Sequence, residues 1–201
     1  MITIRRAEIK DVAYIAEGIF NAFLLEDNAI VLENRIGEGS IPLREKWMEI
    51  LTGVCAQADT HYSYTNTFIA ELDGEIAGMM IAVDGKNYRF QREKMYPQLK
   101  GLFDVAFGKG WEDMEDEAKA GEYYIDSISV SPMYRHRGVG TELIEYAKQQ
   151  AKAIGIKRVT LAVEPMNSAK ILYQELGFRY HRSITIFNEE YHLYVADAYE
   201  K

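Results

Sequence analysis

Residues 123–155 read YYIDSISVSPMYRHRGVGTELIEYAKQQAKAIG, and three changes of pattern within them decide the fold. The apolar run Ile125 to Val130 predicts a strand. Arg135-His136-Arg137-Gly138-Val139-Gly140 predicts a tight turn, because two close glycines let the backbone fold back and approach a ligand without a clashing Cβ. Leu143, Ile144, Ala147, Ala151 and Ile154 then recur at helical spacing. A helix opening directly after such a turn aims its unpaired N–H groups and the positive end of its dipole into the turn. The arrangement suits a pyrophosphate, to which Arg135 and Arg137 would add charge-assisted bonds.

A Gly-x-Gly turn alone is weak evidence, since many are ordinary connections. Further along, however, the chain carries Asn167-Ser168-Ala169-Lys170-Ile171-Leu172-Tyr173-Gln174-Glu175-Leu176-Gly177-Phe178. Together these stretches resemble the GCN5-related N-acetyltransferase (GNAT) superfamily. Arg-x-x-Gly-x-Gly matches that family's acetyl-CoA pyrophosphate motif, and Asn-x-x-Ala-x-x-Leu-Tyr-x-x-Leu-Gly-Phe its second signature. The resemblance covers roughly Glu122 to Phe178; the N-terminal half carries no diagnostic motif.

The resemblance implies a central strand splayed from its neighbour, with Ile128, Ser129 and Val130 pairing their main chain with the pantetheine arm. It implies that main-chain N–H groups of His136, Arg137, Gly138, Val139, Gly140 and Thr141 hold the pyrophosphate, and that Arg135 fills the first motif position. Tyr173 matches the tyrosine that protonates the departing thiolate, although helical spacing with Ala169, Leu172 and Leu176 equally suits a packed core residue. Asn167 matches a pantetheine contact and is also a good N-cap. Asp126 is the candidate base: simple alternation places it with Tyr124, Ile128 and Val130, a carboxylate among apolar neighbours, and a structural ion pair is the competing reading. Glu122, Tyr124 and Glu164 are weaker candidates, and His61, His181 and His192 have no motif around them. The implied activity is acetyl-CoA-dependent transfer to a primary amine of a small molecule or protein. A CoA-binding module without catalysis is the alternative.

Composition bounds these readings. With 201 residues the chain is expected to form a single domain, 1–201, large enough for one substantial core. The net charge of −8 argues against non-specific nucleic-acid binding and tilts toward cationic partners. No apolar run reaches membrane-span length and no signal-peptide layout opens the chain, so a cytoplasmic location is expected. The single cysteine, Cys55, excludes an internal disulfide framework, falls in an apolar helical pattern and is expected buried. No His, Cys and carboxylate spacing suggests a metal.

In chain order, Ile2 and Ile4 predict a strand, and Asp11 an N-cap for a helix bearing Val12, Ile15, Ile19 and Phe23. Glu26 to Gly39 reads as loop, and Pro42 as the first turn of a helix bearing Trp47, Leu51 and Val54. By the resemblance, these two helices wall the acceptor site. Phe68–Leu72 and Ile76–Val83 around Asp73-Gly74 predict a hairpin. An insertion of roughly 86–121 should contain helical pieces, since so long a structureless connection is improbable. It opens basic (Lys86, Arg89, Arg92, Lys94) and ends acidic (Glu112, Asp113, Glu115, Asp116, Glu117). A solvated surface excursion, a lid or wall over the acceptor pocket packed by Phe103, Phe107 and Trp111 with the acids attracting an amine, and a homodimer contact are all open readings. Strands at Arg158–Val163, Phe178–Phe187 and Tyr191–Val195, the last two joined by a turn at Asn188-Glu189-Glu190, complete an α/β fold of the α+β type. Its sheet is mixed, mostly antiparallel and flanked by helices.

Overall fold

The sheet order follows from where the chain can turn tightly and where it cannot. The computed structural model describes residues 1–23, 40–107 and 114–200. Seven strands, β1 (Ile2–Arg6), β2 (Thr67–Leu72), β3 (Glu75–Asp84), β4 (Glu122–Val130), β5 (Arg158–Val163), β6 (Arg179–Ile186) and β7 (Glu189–Asp197), lie in the order β1-β2-β3-β4-β5-β7-β6. All neighbours are antiparallel except β4 and β5. That parallel pair needs a crossover, supplied by helix α4 (Val139–Ala153). The β2–β3 hairpin turns at Asp73 (φ 54°) and Gly74 (φ 89°), both left-handed, matching the twist of the strands.

Helices cover both faces. On one face α4 buries Leu143, Ile144, Ala147 and Ala151 against Met80, Ala82 and Ile125. Ile154 lies past the end of α4 and is exposed. On the other face α1 (Val12–Phe23), α2 (Ser40–Cys55) and α3 (Gly85–Phe107) bury Ile15, Ile19, Trp47, Leu51, Met95, Leu99 and Phe103 against Met79 and Ile81. Strand β3, in the middle of the sheet, is buried on both sides and reads as an apolar run. Cys55 is fully buried at the end of α2, and burial pushes its thiol up to about 12, which makes it a packed, inert residue.

Several expectations are corrected. Asp11 does not simply cap α1: it closes a short 3₁₀ turn, accepts the Glu8 N–H at 2.7 Å and takes two bonds from the Arg5 guanidinium at 2.7 and 3.0 Å. The last turn is Phe187-Asn188, left-handed at both residues, because Phe187 is drawn into the core against Phe103 with ring centroids 5.0 Å apart. The insertion is no solvated excursion. Its helix α3 lays Tyr88, Met95, Leu99 and Phe103 into the core, and Arg89 and Arg92 pair with Asp116 at 2.8 and 3.0 Å, tying its two ends together. Gly85, its first residue, is needed for space: an added Cβ would lie 2.2 Å from the Lys119 carbonyl oxygen. The expected loop at 26–39 and the expectations for Trp111, Glu112, Asp113 and the Phe107 side chain lie outside the described residues.

Candidate active site

Strand β4 is where the sheet opens. It pairs with β5 only from Glu122 to Ile125; beyond that β5 stays with β7, and Ile128–Val130 have no strand partner on that side. The chain then passes through a 3₁₀ turn at Pro132–Tyr134 and the left-handed residues His136 (φ 60°) and Gly138 (φ 83°) into α4. Gly138 is required for its backbone angle rather than for room, since a Cβ there would meet only Ile2, at 3.9 Å. The first bond within α4 is Glu142 N–H to the Gly138 carbonyl, so the N–H groups of Val139, Gly140 and Thr141 have no acceptor within the helix.

These groups share a groove of about 660 Å³ running along the open edge of β4. It is lined by Ile128, Ser129, Val130, Arg135, His136, Gly138, Val139, Gly140 and Thr141, and on the far side by Asn167, Leu172 and Tyr173 from the turn and short helix α5 (Lys170–Glu175). Every residue expected to touch the cofactor lies on this groove except Arg137, whose guanidinium stacks over Tyr134 at 5.7 Å. A Cβ on Gly140 would meet only Leu172 Cδ2, at 3.5 Å, so no protein atom demands a glycine there. A close-lying ligand would. The Asn167 Oδ1 accepts the Ala169 N–H at 2.9 Å, a local turn bond that leaves its amide N–H groups available; the N-cap of α5 is Ala169 and not Asn167, which corrects the capping role expected of it.

A second cavity, of about 150 Å³, adjoins the groove, and Ile128, Asn167 and Tyr173 line both. Burial pushes the Tyr173 phenol up to about 12, so it stays protonated through the neutral range. Asp126 reaches this cavity by a device that simple alternation cannot show. The β3–β4 register jumps from Ile81↔Ser127 to Ala82↔Ile125, leaving Asp126 as the extra residue of a β-bulge. The jump reverses the parity of the strand. Ile128 and Val130 join the α4 side with Ile125, while Asp126 stays with Tyr124 on the opposite side, which corrects the shared face expected from the sequence.

There the Asp126 carboxylate accepts His61 Nε2–H at 2.8 Å and the Ser127 hydroxyl at 2.6 Å. His61 is 2% exposed, its Nδ1 has no partner among the described residues, and its ring packs edge-on to Tyr88 at 5.0 Å. The sequence offered no motif around His61; it enters only because the loop before β2 folds across β4. Glu117, near the end of the insertion, is one of the acids expected to attract an amine if the insertion walls the pocket. It accepts the phenols of Tyr88, at 2.7 Å, and Tyr124, and it lines the cavity. Burial, then the nearby Asp126 charge, push Glu117 above the usual carboxylate range. Tyr124 and Glu164 also line the cavity. Glu122 does not: it is buried beside Arg158, 3.4 Å away. His181 is exposed and His192 lies 3.5 Å from Glu190. Ala22 of α1 and Tyr96 of α3 also line it, whereas no described residue of α2 does, so of the two helices expected to wall this site only the first reaches it.

Comparison with known proteins bears on the family and the fold. The model of the acetyltransferase (GNAT) family matches residues 40–178. A solved acetyltransferase structure superposes with a TM-score of 0.70 at 26% identity, covering 98% of this chain and 99% of the other. The PaiA N-acetyltransferase from Thermoplasma acidophilum, solved in complex with coenzyme A, superposes at 0.52 and 17% identity, covering 96% and 98%. Among curated proteins, the cysteine-rich protein 2-binding protein of Mus musculus is 34% identical over 88 residues, 44% of this chain but only 10% of that protein's length.

Proposed function

Because the chain belongs to the acetyltransferase (GNAT) family, we propose that it is an acetyl-CoA-dependent N-acetyltransferase whose primary-amine acceptor attacks the thioester directly in a ternary complex. The observation that carries this reading is the junction of the two cavities at Ile128, Asn167 and Tyr173, one shaped for an extended carrier and the other for an acceptor. Acetyl-CoA, as co-substrate, would supply the activated acetyl group and the leaving thiol. The residues present fit it: an open strand edge, three helix N–H groups without helical acceptors, and a glycine whose missing side chain leaves the groove clear.

In this reading the main chain of Ile128–Val130 aligns the carrier arm as an added strand. The N–H groups of Val139, Gly140 and Thr141 hold the diphosphate, with Arg135 at the mouth. Asn167 steadies the arm near its sulfur end. Asp126, fixed by His61 and Ser127, takes the proton that the attacking amine must lose. Tyr173, protonated and facing both cavities, donates to the sulfur as negative charge develops there. Holding both reactants at one junction supplies the larger part of the rate.

A binding module that has kept the carrier site without chemistry is the second reading. One assay separates the two. Purified protein is mixed with acetyl-CoA and a panel of amines while free thiol is followed and CoA affinity is measured in parallel. Thiol release dependent on particular amines is expected. Tight CoA binding with no turnover on any amine would establish the module instead. Tyr173→Phe is expected to lower kcat by about 10²-fold or more while changing CoA affinity less than threefold; unchanged turnover removes the phenol from the chemistry.

A further inference from the structure

One lysine lies inside the apolar stripe of α4. Lys148 is 4% exposed, and its neighbours one turn away on either side, Ile144 and Ala151, are fully buried. An ammonium group leaves water only where bonds replace its hydration. Lys148 Nζ donates to the Leu176 carbonyl at 2.7 Å and to Glu145 Oε1 at 2.8 Å, and it stands 6.0 Å from the centroid of the Phe178 ring. Glu145 is on the same helix and 40% exposed, a partner the lysine could equally meet in solvent. The bond to Leu176 is the one that needs the lysine inside.

Leu176 is the C-terminal cap of α5, the helix that carries Tyr173. With six residues and no fully buried side chain, α5 is too short to hold itself. Its end is shaped by bonds from the Gly177 N–H to the Gln174 carbonyl at 3.0 Å and from the Phe178 N–H to the Tyr173 carbonyl at 2.9 Å, with Gly177 left-handed. Those bonds stay within the corner and do not fix where it sits. Lys148 reaches across from α4 and places a cation at the negative end of α5, on one of the carbonyls that a helix end leaves over. Phe178 gives a second link, its ring centroid lying 6.2 Å from that of Tyr173. The other end of the span is the first turn of α4 itself, eight residues before Lys148 at Gly140 and about 12 Å away along the axis.

Resting on the acetyltransferase reading above, we propose that Lys148 is a positioning residue for the transfer: it fixes α5 against α4 and thereby sets the phenol of Tyr173 at a constant distance from the diphosphate turn. It touches neither reactant. A carrier gripped at its diphosphate puts its sulfur at one place, and a proton donor must be held to that place within about 0.5 Å. Removing the clamp therefore lowers the chemical step and leaves the binding of both substrates alone.

A double-mutant cycle tests this. The kcat for amine-dependent thiol release, and CoA affinity by calorimetry, are measured for the full chain, K148M, Y173F and K148M/Y173F, with E145Q beside them. K148M is expected to lower kcat by about 10- to 100-fold, with CoA Kd and the amine KM changed less than about threefold. In the Y173F background the same change is expected to cost less than about threefold, because the phenol it positions is gone. E145Q is expected to keep kcat within about threefold of the parent. An equal loss in both backgrounds would overturn the inference, since Lys148 would then act on the fold at large. So would a loss in E145Q as great as that in K148M, or CoA binding weakened in step with kcat. Should K148M fold poorly, K148Q, which shortens the reach and removes the charge, carries the same cycle. Failure of the underlying reading looks different: no thiol release with any amine, or Y173F turning over as fast as the parent.

Discussion

Replacing Gly140 with alanine should move stability and carrier affinity in opposite directions. Gly140 is the second residue of α4, its φ is not positive, and an added Cβ meets only Leu172 Cδ2 at the ordinary distance of 3.5 Å. The folded protein therefore accepts the methyl, while the unfolded chain loses freedom. The expected gain is about 0.5–1 kcal/mol. For a chain of this length that raises the melting temperature by about 1–4 °C. The methyl nevertheless stands in the groove where the diphosphate is proposed to lie. Pushing a phosphate oxygen off one charge-assisted N–H bond costs about 1.5–3 kcal/mol, which is roughly 10- to 150-fold in Kd. Scanning calorimetry of the free protein gives the first quantity and titration calorimetry with CoA the second. A stable variant that binds CoA as tightly as the parent would refute the placement of the diphosphate at this turn. A fall in melting temperature would refute the claim that no protein atom requires the glycine.

Three further outcomes follow from burial and pairing. Gly85→Ala should destabilise by about 1–3 kcal/mol, because the new Cβ falls 2.2 Å from a backbone oxygen that no rotamer change can move; denaturant unfolding checks this. Asp11→Asn should cost about 2–4 kcal/mol, since a buried carboxylate that holds Arg5 and the Glu8 N–H loses its charge. The Arg5 hydrogen bond keeps Asp11 below the usual carboxylate range, so its contribution is complete above about pH 4 and lost as pH falls through the depressed value; an acid titration of the two proteins should converge at low pH. At the other extreme, Cys55, Tyr123 and Tyr173 are each pushed up to about 12 by burial. Folded, they hold protons that the unfolded chain releases from about pH 8.5–10, so stability should be level below that range and fall steadily toward pH 12. A flat alkaline profile of the unfolding midpoint would contradict their burial.

The groove was legible because it is built from continuous pieces of chain. Ile128 to Thr141 and Asn167 to Tyr173 bring their own strand, turn and helix starts, and local rules suffice to read those. The smaller cavity draws on α1, α3, β4, β5 and the β6–β7 turn, with His61 held against Asp126 from outside its lining across 65 residues of sequence. No periodicity reports such a meeting. The face assignment on β4 failed for a narrower reason: one bulged residue reverses alternation, and a bulge without glycine leaves no mark in the residues themselves. The last turn was misplaced by one residue: Asn188 suits a left-handed position, but nothing in Phe187 announces one. Glu117 sat in a run of acids that read equally as a solvated face or as a pocket wall, and only the tyrosines folded over it distinguish it from its exposed neighbour Glu115.

The stretch from Gly85 to Gly121 carries two duties at once, and they cannot be inherited separately. Its Met95, Leu99 and Phe103 complete the interior, while its Tyr96 and Glu117 line the smaller cavity. A lineage that exchanged the whole stretch for another would leave Trp47 and Phe187 looking into a hole. Within this stretch, reshaping the cavity without emptying the interior is therefore confined to point changes at the residues that line it.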